Sequence, residues 1–107
     1  EEGQLQAALD DLNAALVIDP TEGEAMALRA AAKRRLGDLG GAYRDAQSAV
    51  ELRPVSPSAW LELGKAELER SDKNAARRAW LKAIDVAPSS KAASLARGEL
   101  QDMDGGG

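Results

Sequence analysis

Proline recurs in this chain at an interval of 34 residues, at positions 20, 54 and 88. Alanine lies twelve and five residues before each proline, and an aliphatic residue lies two residues before it. These positions hold Ala8, Ala42 and Ala76, then Ala15, Ala49 and Ala83, then Ile18, Leu52 and Val86. A period of this length with helical patterning indicates a solenoid, in which each unit buries its apolar face against its neighbours. The chain is therefore predicted to fold as a stack of similar helical units.

Signals for the start and end of a helix occur twice in each period. Residues that cap the first backbone N–H groups mark the starts, whereas glycine and proline mark the ends. The predicted caps are Thr21 in a capping box with Glu24, then Asp38, Ser56 before Pro57, and the pair Ser89-Ser90. Helices are expected over about residues 5–18, 22–36, 39–52 and 57–70, then from the turn at 71–72 to about 86, with a last helix ending near Met103. The short turns make neighbouring helices antiparallel.

The first unit is predicted to be incomplete, because counting back from Pro20 leaves room for only one helix. The expected organisation is the second helix of a repeat over residues 1–22, whole repeats over 23–56 and 57–90, a capping helix over 91–103 and a flexible tail over 104–107. The chain begins at Glu1 rather than methionine, so we expect the natural protein to continue upstream.

The unit over residues 57–90 resembles a tetratricopeptide repeat. The residues that carry the resemblance are Trp60, Leu63, Gly64, Ala76, Trp80, Ala83 and Pro88. Glu67 departs from the family pattern, which has an aromatic residue there. The unit before it keeps Met26, Ala42, Ala49 and Pro54, but has Arg29, Ala30 and Lys33 where leucine, glycine and an aromatic residue are usual. The resemblance implies an all-α fold of antiparallel helix hairpins stacked as a right-handed α-solenoid, with about two and a half repeats plus a C-terminal capping helix.

The same resemblance implies a binding surface. One stripe of each first helix lines a concave groove in this family, and the groove holds a peptide or a helix of another protein. The corresponding residues here are Glu24, Ala27, Leu28, Ala31, Arg34, Arg35, Ser58, Leu61, Glu62, Lys65, Leu68 and Glu69. The arginines would meet carboxylates and the glutamates would meet basic side chains. The alternative is that these charges only keep a helix face soluble.

A clamp for the C-terminal carboxylate of a chaperone is not expected. Family members with that clamp resemble one another in an asparagine, a lysine and an arginine, and this chain has Leu28, Ser58 and Glu62 at those places.

Arg29 and Asp45 lie eight residues before and after Gly37, so a hairpin folded at that glycine brings them face to face. We predict an ion pair; the alternative is two separately solvated side chains. Asp11 occupies the place of Asp45 in the incomplete unit and has no basic residue to match it.

The first helix is therefore expected to expose a face meant to be covered, near Leu5, Leu9, Leu12 and Leu16. Such a face could drive self-association through the end helices, which is the alternative to a binding module.

Several classes of function are disfavoured by composition. The chain has no cysteine and no histidine, which excludes disulfides and an imidazole base, so neither an enzyme nor a metal or cofactor site is expected. The net charge of -4 and the three aromatic residues are atypical of nucleic-acid binding, and no apolar run has the length of a membrane span. Trp60, Trp80 and Tyr43 are predicted to pack in the core. The expected partner is another protein or peptide.

Overall fold

The computed structural model describes residues 1–105, which form six α-helices and no strand. The helices are α1 (Glu2–Ile18), α2 (Gly23–Arg35), α3 (Leu39–Leu52), α4 (Pro57–Glu69), α5 (Lys73–Val86) and α6 (Lys91–Gly105). Connections of three or four residues join them, so consecutive helices fold back on one another. The predicted all-α solenoid of helix hairpins is confirmed.

Side-chain caps start five of the helices, and in four of these the cap accepts from the N–H group three residues later. The carboxylates of Asp38 and Asp72 accept hydrogen bonds from the N–H groups of Gly41 and Ala75, at 3.0 and 3.1 Å. The hydroxyl oxygens of Ser56 and Ser90 accept from the N–H groups three residues later, at 3.3 and 3.0 Å. Each bond satisfies a donor that the helix itself leaves free, which fixes where α3, α4, α5 and α6 begin.

The predicted capping box at Thr21 is wrong. The N-cap of α2 is Glu22, whose carboxylate accepts from the N–H of Glu24 at 3.2 Å. Thr21 instead donates its hydroxyl and its N–H to the carboxylate of Asp19, at 2.7 and 3.0 Å. The threonine hydroxyl is held in a turn by the carboxylate of Asp19, so this hydroxyl does not cap α2.

Two helix ends share a left-handed turn. Gly37 after α2 has a φ of 91°, and Ser71 after α4 has a φ of 64°. In each case the N–H of the following aspartate donates to a carbonyl five residues earlier, Asp38 to Lys33 and Asp72 to Glu67. In each of these turns the hydrogen bond gives one of the last carbonyls of the helix a donor, and the left-handed residue reverses the chain so that the next helix runs antiparallel.

The last helix ends at Gly105, two residues beyond the predicted end near Met103. Asp104 accepts two hydrogen bonds from the guanidinium of Arg77, at 2.8 and 2.5 Å, which ties the end of α6 to α5. The predicted flexible tail is therefore wrong for residues 104 and 105; residues 106 and 107 lie outside the described part of the chain.

The helices alternate between two sides of the array. The first helices α2, α4 and α6 contact one another in sequence, whereas within residues 1–105 the second helices α3 and α5 do not. The helices are therefore more closely spaced on the side of α2, α4 and α6 than on the side of α3 and α5. This difference in spacing makes the side of α2, α4 and α6 concave. None of the six helices is long and apolar enough to cross a membrane.

Alanine dominates the core and lets the helices approach closely. Of the 21 buried apolar residues within residues 1–105, only Leu16, Val50, Leu61, Leu63 and Trp80 are larger than alanine. Trp80 is fully buried, and its indole N–H donates to the carbonyl of Leu61 at 3.2 Å. It occupies space that Gly64 leaves free, because a Cβ at residue 64 would collide with the indole ring. Trp60 and Tyr43 are half-buried against the same core, as predicted.

Candidate binding groove

The concave side carries two adjoining cavities, which together we call the groove. The smaller one, of about 170 Å³, lies between α2 and α4. The larger one, of about 690 Å³, extends over α1, α2, α4 and α6. Leu28, Ala31, Leu61 and Glu62 line both cavities, so the two form one continuous surface.

The smaller cavity is built entirely from residues predicted to line the groove. Its lining is Glu24, Ala27, Leu28, Ala31, Ser58, Leu61 and Glu62. The carboxylate of Glu24 accepts a hydrogen bond from the hydroxyl of Ser56 at 2.9 Å, which joins the first turns of α2 and α4 and fixes their spacing. The floor is apolar, with acidic groups at its edge.

The larger cavity combines apolar and charged side chains. Leu28 and Leu95 remain 58% and 47% exposed there, although both are large and apolar. The cations Arg35, Lys65 and Lys91 lie on the walls from α2, α4 and α6. Asp11 on α1 contributes a carboxylate to the same cavity. A large concave apolar surface with a few charged groups is the ordinary composition of a binding site.

Three predicted groove residues do not line either cavity: Arg34, Leu68 and Glu69. Leu68 packs against the cluster around Trp80 instead, and Glu69 is exposed in the last turn of α4. The Nε of Arg34 lies 3.6 Å from the Oε2 of Glu62. The predicted stripe therefore includes residues outside the cavities near the C-terminal end of each helix, namely Arg34 on α2 and Leu68 and Glu69 on α4.

Glu62 lies between two bases without a hydrogen bond to either. Its Oε1 is 3.9 Å from the Nζ of Lys65, and its Oε2, like the Nε of Arg34, is buried without a hydrogen-bond partner among the described residues. Arg34 was predicted to meet the carboxylate of a binding partner; in this structure it faces Glu62 of its own chain. Of the two arginines, Arg35 is the one that lines the groove.

The predicted ion pair between Arg29 and Asp45 is confirmed and is part of a larger cluster behind the groove. The guanidinium of Arg29 donates two hydrogen bonds to the Asp45 carboxylate, at 2.7 and 2.8 Å, and Lys33 approaches the same carboxylate at 3.0 Å. Arg29 also donates to the side-chain carbonyl of Asn13 at 3.1 Å. One arginine therefore connects α1, α2 and α3.

Electrostatics favour the ionised forms of Asp45 and Arg29. Burial alone would raise the pKa of Asp45, but the hydrogen bonds and charges of Arg29 and Lys33 outweigh it and hold that pKa below its ordinary value. The hydrogen bonds to Asp45 likewise raise the pKa of Arg29. The carboxylate side chain is only 9% exposed, so the pair is screened little by solvent.

The equivalent positions one repeat later are Leu63, Glu67 and Ala79. They line a cavity of about 300 Å³ on α4 and α5, outside the groove. Among the described residues, Glu67 forms no ion pair, whereas Asp45 pairs with both Arg29 and Lys33. The Oε1 of Glu67 is buried without a hydrogen bond from the described residues. Burial raises the pKa of Glu67, and the charge of Asp72 adds to this effect.

Sequence reasoning missed the groove residues on α1 and α6, namely Leu5, Ala8, Asp11, Leu12, Lys91 and Leu95. The repeat itself held the signal for one of them, because Leu95 lies 34 residues after Leu61. The α1 residues were found as an uncovered face but were not assigned to the groove. Of the four leucines of that face, Leu16 is buried and only Leu5 and Leu12 line the cavity.

Solved structures with the same fold were found over nearly the whole chain, whereas no family model matches the sequence. The first tetratricopeptide-repeat domain of Spaghetti (RPAP3), bound to the HSP90 peptide SRMEEVD, superposes with a TM-score of 0.83 at 22% identity, covering 97% of this chain and 80% of that one. The tetratricopeptide-repeat domain of Sgt2 from Aspergillus fumigatus gives 0.78 at 26% identity, covering 95% and 72%. PcrH in complex with the chaperone binding region of PopD gives 0.82 at 16% identity, covering 96% and 80%. The chain has a tetratricopeptide-repeat fold.

Proposed function

We propose that this chain is a protein-protein interaction module, an adaptor or scaffold rather than an enzyme, which binds a peptide or a helix of another protein in the groove. The observation that carries the proposal is the exposure of Leu28 and Leu95 within one concave cavity of about 690 Å³. Burial of such side chains by a ligand stabilises a complex through the hydrophobic effect. Arg35, Lys65 and Lys91 would select for acidic groups on one side of the ligand.

Two similar structures support a role in binding. The Spaghetti domain is bound to an HSP90 peptide, and PcrH is in complex with a region of PopD. The HSP90 peptide is a ligand of the Spaghetti domain and the PopD region a ligand of PcrH, and neither is assigned to this chain. For this chain the groove has Leu28, Ser58 and Glu62 at the clamp positions, so we propose a ligand other than a chaperone tail.

Selection from a random peptide library on the immobilised chain tests this proposal. The affinity of the selected peptides would then be measured for the variant Leu28→Ser and for its matched control Leu81→Ser, since Leu81 is 51% exposed on α5 and does not line the groove. We expect Leu28→Ser to weaken binding by about tenfold and the control to leave it unchanged. Equal effects of both variants would contradict the proposal.

Self-association through the end helices is a second candidate. Val17 and Ile18 at the end of α1 are 83% and 87% exposed, which is more than any other large apolar residue of the described chain. Sedimentation equilibrium over a hundredfold concentration range tests it. A dimer that Ile18→Ser disrupts would support this role, whereas a monomer at every concentration would contradict it.

A further inference from the structure

The cavity of about 300 Å³ on α4 and α5, which we call the outer cavity, shares no lining residue with the groove. Its floor is apolar and consists of Trp60, Leu63, Ala75 and Ala79. Three of these residues also pack in the cluster that contains Ala46, so α3 borders the cavity. Since α3, α4 and α5 all lie inside the array, the outer cavity is not an end face that a further helix of the array would cover.

Glu67 is the one acid that lines the outer cavity, and it lacks a partner within residues 1–105. No base forms an ion pair with it, and its Oε1 is buried without a hydrogen bond. The repeat pattern has an aromatic side chain at this place, so the glutamate is a departure of this sequence. A buried carboxylate oxygen without a donor costs stability, and such a group in a cavity is expected where a ligand supplies the donor.

The equivalent place one repeat earlier contains an acid together with its bases. There the guanidinium of Arg29 donates two hydrogen bonds to Asp45, at 2.7 and 2.8 Å, and Lys33 lies 3.0 Å from the same carboxylate. In the later repeat an acid is still present, now on α4 as Glu67, but both bases are missing from the equivalent positions. The chain therefore shows that a guanidinium satisfies a carboxylate at this place between the helices, and it leaves the second carboxylate without one.

The other lining residues favour an arginine side chain as the donor. Trp60 lines the outer cavity, and its indole N–H donates to the carbonyl of Pro54 at 2.7 Å, which holds the ring in place. A guanidinium donates to a carboxylate and stacks on an indole ring at the same time. Arg78 and Lys82 line the cavity from α5 and are exposed, so acidic groups beside that arginine would meet them. The volume of about 300 Å³ suits one side chain rather than a helix.

We propose that the outer cavity is a second binding site, which takes one arginine side chain from an acidic segment of a partner protein. The guanidinium donates to Glu67 and stacks on Trp60, and the carboxylates on either side of the arginine meet Arg78 and Lys82. This site goes beyond the proposed function, because it does not involve the groove and lets the chain hold two segments at once. It also accounts for the unpartnered carboxylate, since the ligand supplies the hydrogen bond that the chain itself does not.

A blocked seven-residue peptide with one central arginine between two glutamates, and alanine elsewhere, is the probe. It would be titrated into the isotope-labelled chain and followed by the two indole N–H signals in heteronuclear NMR spectra. We expect a saturable shift of the Trp60 signal, while the signal of the fully buried Trp80 stays in place. A peptide with glutamine instead of the arginine should bind about tenfold more weakly or less, because it lacks the charge and the guanidinium donors.

Glu67→Gln should weaken binding of the arginine peptide by about tenfold, since it removes the charge and keeps the shape of the side chain. Glu69→Gln is the matched control, because Glu69 is exposed on the same helix and lines neither the outer cavity nor the groove. Equal weakening by both variants, equal binding of the two peptides, or no shift of the Trp60 signal would overturn the inference. A shift of that signal on concentrating the chain alone, which Glu67→Gln abolishes, would also overturn it, since the occupant would then be a second copy. None of these results touches the library test on the groove.

Discussion

Asp45 is an acid that the fold buries beside two bases, and its ionisation is coupled to stability. Asp45→Asn should lower the free energy of unfolding by about 3 kcal/mol at pH 7, because it leaves Arg29 and Lys33 without their carboxylate. The pKa of Asp45 is lower in the folded chain than in the unfolded one, so its contribution is complete above the ordinary value of 3.8 and is lost as the pH falls through the lowered pKa. Urea unfolding of both proteins at pH 7 and at about pH 2 measures this. A difference that stays constant between the two pH values would contradict the prediction, and Asp85→Asn, at an exposed site on α5, is the control.

Glu67 has the opposite effect, because it is a half-buried carboxylate whose Oε1 lacks a hydrogen bond within residues 1–105. Glu67→Met should raise the free energy of unfolding by about 1 kcal/mol at pH 7, since an apolar side chain of similar length removes the desolvation cost. The folded chain raises the pKa of Glu67 above its ordinary value of 4.5, so the carboxylate destabilises the fold above that raised pKa and the cost disappears as acidification protonates it. Chemical unfolding from pH 7 down to about pH 4 should therefore show the advantage of methionine shrinking. An advantage that grows on acidification would rule this explanation out, and the exposed Glu69→Met serves as comparison.

At the scale of the helices, the turns after α2 and α4 have one geometry and two different residues. Gly37 adopts its φ of 91° without steric cost, because it has no Cβ. At a φ of 64° the Cβ of Ser71 lies too close to a backbone carbonyl oxygen. Ser71→Gly should therefore stabilise the chain and Gly37→Ala should destabilise it, each by about 1 kcal/mol. Thermal unfolding followed by circular dichroism would compare both with Ser94→Gly, at an exposed site within α6 where glycine should only destabilise. Stabilisation by glycine at residue 94 as well would show that the effect is not a matter of turn geometry.

Helix boundaries were predictable where one side chain decides them and not where two compete. Asp38, Ser56 and Ser90 cap as predicted, because no other side chain of the described residues donates a hydrogen bond to the capping oxygen. Thr21 does not, because Asp19 two residues earlier takes its hydroxyl. The end of α6 depends on a contact 27 residues away, between Arg77 and Asp104, and no local pattern carries such information.

At the scale of the whole molecule, periodicity predicted the array, because equal spacing in sequence becomes equal position in a stack. The equal distances of Arg29 and Asp45 from the turn at Gly37 predicted their contact. The groove, which the family resemblance implied, was predicted less well. The sequence correctly assigned most lining residues of α2 and α4. It did not predict that Arg34 turns away from the groove, because the direction of that side chain depends on Glu62 of the neighbouring helix. The contribution of α1 to the lining depends on the helices that pack beside it in three dimensions. The residues of α1 alone do not predict those neighbours.

Contacts between helices within residues 1–105 are confined to helices that are adjacent or next but one along the chain, so stability should be distributed in one dimension. Trp80 lies in the cluster shared by α4, α5 and α6, while Ala30 and Ala46 belong to the cluster around α2 and α3. Trp80→Ala should cost about 4 kcal/mol, because the fully buried indole leaves a cavity against Gly64 and the hydrogen bond to Leu61 is lost. Hydrogen exchange followed by mass spectrometry should then show faster exchange first in α4, α5 and α6, with α2 and α3 protected longer. The exposed Leu81→Ala, one residue away on α5, should leave the exchange pattern unchanged. Loss of protection to the same extent in all six helices would show instead that the array unfolds as one cooperative unit.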